Sequence, residues 1–492
     1  MTTVRPEALP AARGISLPVR AAGIAAGILA AVLLGIVRLR AMHPGLLYPD
    51  GYQYLVMARG IGEHLHPVAT LGPGGDTLAP SADAAAKPLF PGLIALGESL
   101  GLSPIDAARS VSAIAAAAVA PLAGLVALRL GASRAGAVLT AALCLASPAL
   151  GFWLGFPGSE ALAEALALAA TLALLYDRPV AGGVLAALAV TARPELVTPA
   201  LAAALAAAAS RPLRHRAVVA SSAGLATIAL VVGMLRPPLS TQTLALLAGA
   251  GAMGCATAAS LVLAGRLSRR AGVGVLATAA ALLAAGIATV GAWRTLAGSD
   301  WALLVLAVAG IAAAAGSNAL RTRSLRILAL TVPLALVYWW KNPDSVRYAA
   351  LLLPSLAVVA GLGLGRVRPV LLAGAAALAL ACALQGSVPS VGPDAFPGIA
   401  SRLEHAPPGP LVTAAPDAYG ALLPDRAVRV LRPGATGLVV VDGPARLYEP
   451  GLRVAGRLLA TIPAGPGFLR PDGSVDDEPV LLYRGTVKRA RR

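Results

Sequence analysis

Carboxylates, aromatic rings and cysteines are all scarce in this chain, and each shortage excludes something. Only 13% of its 492 residues are charged, about half the share usual in a soluble domain, so there is too little polar surface to wrap one globule of this size. Aromatic residues make up 4%, and 23 acidic residues stand against 40 Lys and Arg, a balance of +17. That excess does not point to nucleic acid, because the basic residues sit in short segments between apolar runs and form no continuous face. The three cysteines, Cys144, Cys255 and Cys382, all lie inside apolar runs, which argues against a disulfide framework or a thiolate metal cage. No small-x-small cleavage signal follows the first apolar run, so 19–39 reads as a retained span.

What the chain has instead is Ala, Leu and Gly, in apolar runs of about 20 residues, the length that crosses a bilayer as a helix. Small residues let helix backbones approach closely in lipid, so a packed bundle is expected rather than isolated anchors. Full spans are expected at 19–39, 107–128, 135–152, 159–176, 216–235, 241–264, 272–293, 301–319, 325–340, 348–365 and 369–385. Basic residues such as Arg129, Arg134, Arg178, Arg266, Arg321 and Arg366 recur at alternate ends of these runs, as the positive-inside rule requires. About 30 residues separate Arg178 from Arg211, too few for two full spans. Two half-length helices meeting at Thr191-Ala192-Arg193-Pro194-Glu195 fit best, since proline breaks a helix and restricts its predecessor. A charged break at membrane depth is tolerated only inside protein or beside a watery cavity.

The expected architecture is therefore a polytopic α-helical membrane protein of about 13 spans. The tail 1–18 is placed in the cytoplasm, the membrane module at 19–385, with a first external loop at 40–106, and a small external α/β domain at 386–492. Short strands are expected in that domain at 411–415, 427–431, 437–442 and 479–483, between Pro and Gly turns. The membrane itself is expected to be the inner membrane of a bacterium.

Three segments hold the polar residues that could carry chemistry. In the first loop, Tyr48-Pro49-Asp50-Gly51-Tyr52-Gln53-Tyr54 opens a stretch with Leu55, Ala58, Ile61 and Leu65 at helical spacing, read as an amphipathic helix on the membrane surface. Asp50 is then either its N-cap or a carboxylate positioned as a general base. Lys87-Pro88-Leu89-Phe90-Pro91 places a cation before an apolar segment that dips into the interface. Lys341 and Arg347, followed by Tyr348, put two cations on the external side against the positive-inside trend, where they either snorkel to lipid phosphate or bind an anion.

Taken together, Asp50 with Tyr52 and Tyr54, the Lys87 segment, the Arg193-Pro194-Glu195 apex and Arg347-Tyr348 leading to Leu351-Leu352-Leu353-Pro354 resemble the GT-C superfamily of glycosyltransferases. The protein O-mannosyltransferase and aminoarabinose-transferase type is the nearest within it, and the resemblance covers the membrane part, about 19–385. It implies a GT-C-like bundle, a polyprenyl-phosphate-linked sugar donor, transfer on the external face, and an inverting single displacement onto a glycan, lipid or protein acceptor. Asp50 would take the acceptor proton. Arg193 and Arg347, with Lys87 and Lys341, would bind the donor phosphate, and Glu195 would orient Arg193. The sequence departs from the family pattern at Gly51, where many members carry a second acid; Glu160 is a candidate replacement, or caps its helix. No cofactor is expected, and His64-Leu65-His66 without carboxylate partners makes a poor metal site. A transporter or flippase of lipid-linked sugars is the rival reading, but it leaves the long first loop and the folded tail without a use.

Overall fold

The computed structural model describes residues 46, 50–208, 213–235, 300–315, 323–324, 327, 352–365, 394–465, 467–469 and 475–489. The expected spans at 19–39, 241–264, 272–293, 325–340 (save Ile327) and 369–385 lie outside the described residues, as do Lys341, Arg347 and Tyr348.

The first loop folds as helix α1 (Asp50–His64), a two-stranded hairpin of β1 (Ala69–Thr70) and β2 (Thr77–Leu78), a single turn α2 (Ala82–Ala85) and helix α3 (Leu89–Ser99). The membrane module follows with α4 (Pro104–Arg129), whose start is set by Ser103: its Oγ accepts from Asp106 N at 3.1 Å, with Pro104 in the first helical turn. At 26 residues α4 is long enough to cross a hydrocarbon core of about 30 Å.

The expected span at 135–152 is two helices, α5 (Arg134–Ala146) and α6 (Pro148–Trp153). Pro148 cannot donate to the ladder and forces Ser147 out of the helical region, to ψ 113°. Asp300, fully buried, takes up the exposed end of α6: Ala149 N donates to its Oδ2 at 3.1 Å and Ser147 Oγ to its Oδ1.

Next come α7 (Ser159–Leu175) and α8 (Pro179–Ala192), a 3-10 turn Pro194–Leu196, then α9 (Val197–Ala208), α10 (Arg214–Leu235), α11 (Trp301–Ala315) and α12 (Leu353–Leu364). Among the described residues, α4 and α10 are the helices long and apolar enough to span a membrane by themselves. The others are shorter apolar helices packed on one another.

The tail is an α/β unit. Helix α13 (Ala395–Glu404) leads into β3 (Leu411–Thr413), α14 (Pro416–Leu422), β4 (Val428–Val430), β5 (Thr436–Val441), α15 (Gly443–Tyr448) and β6 (Leu452–Ile462). The short β7 (Phe468–Leu469) and β8 (Val475–Asp476) pair with each other, and β9 (Val480–Arg489) closes the series. The sheet order is β4-β3-β5-β9-β6, with β3 parallel to β4 and β5, and β9 antiparallel to β5 and β6. Strand β6 was not expected from the sequence. Arg453, Ala455, Gly456, Arg457 and Leu458 are all exposed, so its pattern carries no alternation of buried and exposed positions to detect.

The tail and the first loop are one body. Edge strand β4 is closed by the turn of the β1–β2 hairpin: Val428 N donates to Leu71 O at 2.9 Å, Asp76 N to Val428 O at 2.9 Å, and Val430 N to Asp76 Oδ2 at 3.0 Å. A single apolar core joins Leu46, α1, α3, the start of α4, α13 and one face of the sheet. This corrects the surface-helix reading of α1. Tyr54, Leu55, Val56, Met57 and Ala58 are consecutive and all buried, because α1 lies between α14 and α3 and has no polar face to give to water.

Gly72 makes the docking possible, with a φ of +75° and space for no side chain: a Cβ there would meet Arg426 O at 2.1 Å. Gly72→Val is expected to undock the hairpin, seen as loss of amide-exchange protection at Leu71, Asp76 and Val428 while α4 keeps its own.

Candidate active site

The site is built where the tail meets α1. Strands β3 and β5 are parallel neighbours from which the chain turns opposite ways, β3 through α14 to β4 and β5 through α15 toward β6. Ligands in open α/β sheets sit beyond the carboxyl ends of the strands at such a switch point. Asp417 follows β3 and Asp442 follows β5. Asp442 caps α15, accepting from Ala445 N at 2.9 Å, and takes the Tyr419 hydroxyl at 3.1 Å. Asp417, 4% exposed, lies in the first turn of α14.

Helix α1 is aligned against α14 by Arg59, whose guanidinium donates to the last carbonyls of that helix, Gly420 O at 3.1 Å and Ala421 O at 3.4 Å. At the other end Asp50, in the first turn of α1, lies within electrostatic reach of Asp417. The tail thus contributes a carboxylate near Asp50. A side chain at position 51 has no room, since a Cβ on Gly51 would meet Leu46 Cβ at 2.8 Å.

Burial pushes the Asp417 carboxyl up to about 7, against the pull of the backbone N–H groups of its own helix turn, and the charges of Asp50 and Asp442 add to the rise. Asp442 is raised to about 6 by burial, offset by Ala445 N–H and the Tyr419 hydroxyl. The half-exposed Tyr448 is raised by burial and then by Asp417 and Asp50, which places it beside the pair. Tyr52 donates its hydroxyl to Asp394 Oδ2, and burial followed by the Asp394 charge holds its own proton on firmly. Phe396 packs edge-on against Tyr52, Tyr419 and Phe468, at centroid distances of 5.3, 5.5 and 5.1 Å.

One turn beyond Asp50, Tyr54 carries the contact into the membrane module. Its hydroxyl is 3.2 Å from Ser159 Oγ and its ring sits edge-on to Phe90 at 5.2 Å. Lys87, 1% exposed, immediately precedes the α3 turn that bears Phe90. Ser159 opens α7, and the next residue, Glu160, receives Arg193 Nη1 at 2.5 Å. Arg193 Nη2 lies 3.5 Å from Glu195. The backbone at Arg193 is extended, φ −148° and ψ 109°, between α8 and the 3-10 turn, so the helix breaks at the expected apex. Arg193, Glu160 and Glu195 have side chains 1%, 5% and 7% exposed, and their pairing offsets the cost of taking these charges out of water.

The structure therefore brings Asp50, Tyr52, Tyr54, Lys87, Glu160, Arg193 and Glu195 into one connected region. His64 and His66 stand apart from it: His64 is exposed beside Glu63, and His66 Nδ1 accepts from Val68 N at 3.2 Å. Among the described residues no group of three or more His, Cys, Asp or Glu side chains is arranged to hold a metal ion. Asp394, Asp417, Asp442, Tyr419 and Tyr448 escaped the sequence reading. For Asp417 and Asp442 the one legible signal was position, at the carboxyl ends of expected strands.

Among solved structures, the archaeal oligosaccharyltransferase AglB from Archaeoglobus fulgidus, in complex with an inhibitory peptide and a dolichol-phosphate, overlays this chain with a TM-score of 0.50 at 14% identity, over 82% of this chain and 64% of that one. The oligosaccharyltransferase of the same organism with Zn and sulfate gives 0.51 at 14% identity, over 82% and 62%. The chain has the GT-C fold. It spans a little under two thirds of the length of those oligosaccharyltransferases. ArnT from Cupriavidus metallidurans, bound to undecaprenyl phosphate, matches over 94% of this chain and 98% of that one at 16% identity, but with a TM-score of 0.37, which carries no argument. No protein-family model and no curated protein matches the chain. In this chain the tail helix α14 packs against α1.

Because its pKa is raised on folding, Asp417 holds a proton in the native state between about pH 4 and 7 that the unfolded chain has released, so stability falls as pH rises through that window. Asp417→Asn removes the buried charge and keeps an acceptor oxygen. It is expected to raise the melting temperature of the reconstituted protein by about 5 °C at pH 8 and to change it little at pH 4.5, read by tyrosine fluorescence; equal destabilisation at both pH values would contradict this account of the site.

Proposed function

We propose that the chain is a membrane glycosyltransferase that moves a sugar from a polyprenyl-phosphate-linked donor to an acceptor hydroxyl, with inversion, on the face of a bacterial inner membrane that carries the tail. The observation that carries this reading is the continuous path from Asp50 through Tyr54 and Ser159 to the Glu160–Arg193–Glu195 break, within a GT-C fold. The acceptor oxygen attacks the anomeric carbon opposite the phosphate, the bond from that carbon to the phosphate oxygen breaks, and Asp50 takes the acceptor proton. Tyr52, tied to Asp394, and Tyr54, tied to Ser159, hold the first turns of α1 so that Asp50 keeps its position. Lys87, with Lys341 and Arg347, stabilises the departing phosphate. Arg193 keeps Glu160 as its orienting partner and offers its second nitrogen, the one at the longer 3.5 Å contact with Glu195, to the same phosphate. Membrane lipid and a glycan, lipid or protein acceptor are the remaining partners. The tail helices α14 and α15 lie on the acceptor side of Asp50.

Asp50→Asn is expected to lower transfer from a radiolabelled polyprenyl-phosphate sugar by about 100-fold or more without changing the melting temperature. Unchanged turnover would remove Asp50 from the chemistry, and loss of folding would return it to a helix cap. Arg193→Lys keeps the charge but loses the forked donor geometry. Its signature is a raised KM for donor together with a weakened break, read as faster amide exchange at Ala192 to Leu196.

A further inference from the structure

The outer half of the β6–β9 ribbon carries a charge arrangement that a sheet avoids unless something covers it. Arg453 lies directly across from Lys488, and Arg457 directly across from Arg484. Directly opposed residues point to the same face, with Cβ atoms about 5 Å apart, and like charges so placed repel. The residues alternate along each strand, so all four cations fall on one face, with Ala455 and Thr486 between the two pairs. All four are exposed, and among the described residues none has a carboxylate in salt-bridge range. Protection of a free edge explains charge on β6, the outermost strand. It does not explain Arg484, which lies on β9 between Arg457 on β6 and Leu438 on β5.

The face is identified by its neighbours. Val480 and Leu482, four and two residues before Arg484 on β9, share its side of the sheet, as does its β5 partner Leu438. These three belong to the core that packs on α1, α3 and the first turn of α4, the long apolar helix. The cation face is thus the continuation of the sheet face turned to the membrane module.

We propose that this ribbon is a docking strip for the headgroups of anionic phospholipids in the leaflet on the tail's side, holding the tail down on the membrane. Charge complementarity selects the occupant, since four cations with no counter-charge among the described residues lie on the sheet face turned to the membrane module, and each such cation near an anionic surface strengthens binding about fivefold. The interaction is electrostatic and is screened by salt.

The test uses the whole chain in nanodiscs of neutral phosphatidylcholine or with about 30% phosphatidylglycerol, reading amide exchange at 452–458 and 483–489. Anionic lipid is expected to slow exchange there at least fivefold, with α4 unchanged, and about 0.5 M salt to abolish the difference. The variant R453Q/R457Q/R484Q/K488Q should show no dependence on lipid charge. Equal exchange in both bilayers would overturn the proposal. Slowing by soluble dextran sulfate but not by phosphatidylglycerol would also overturn it, in favour of a polyanionic glycan. Transfer activity is not part of the readout, so the outcome is independent of the proposed reaction.

Discussion

The burial of α1 between the tail and the membrane module is the constraint on which the rest depends. Tyr52, Met57, Ala58 and Ile61 are 4% exposed or less, so the helix cannot leave its place without opening one core shared by α3, α13 and the sheet. Arg59 fixes its direction against α14, and Tyr54 fixes its height against Ser159. A carboxylate at the first turn of such a helix has little freedom, which is what a group meant to meet one particular proton requires.

The same burial governs the electrostatics. Asp417 and Asp442 are enclosed at the carboxyl ends of adjacent parallel strands, and Asp50 approaches Asp417 from another part of the chain. Burial raises Asp417 and Asp442, so near neutral pH this pair does not hold its full charge. On the module side the same physics takes the opposite form. Arg193 cannot lose its charge, so it is surrounded by Glu160 and Glu195 instead. Between the two lies Tyr54, whose hydroxyl and ring edge are both in contact.

Much of the architecture was legible in one dimension. The lengths of apolar runs marked α4, α7 and α10, and Pro194 with the shortage of residues between Arg178 and Arg211 marked the break at Arg193. Proline 148 was equally visible, yet the run around it was read as a single span because hydropathy continues across it. Three strands of the tail, β3, β4 and β5, were bounded by Pro and Gly, whereas β6 was missed because its residues face solvent on both sides and leave no pattern. The helical spacing of α1 was read correctly and its surroundings were not.

Length, hydropathy and charge asymmetry by themselves pointed to a membrane protein, and local sequence marked the break at Arg193 and the helix that Asp50 opens. These are local properties, set by a few neighbouring residues and by the cost of placing them in lipid or water. Only the tertiary structure decided that the tail's hairpin-covered sheet docks on α1, that Gly51 leaves no room for a side chain, and that Asp417, over three hundred and fifty residues away, stands near Asp50. Contacts between distant segments depend on which surfaces remain unsatisfied after each element has formed, and the period of a sequence carries no record of that.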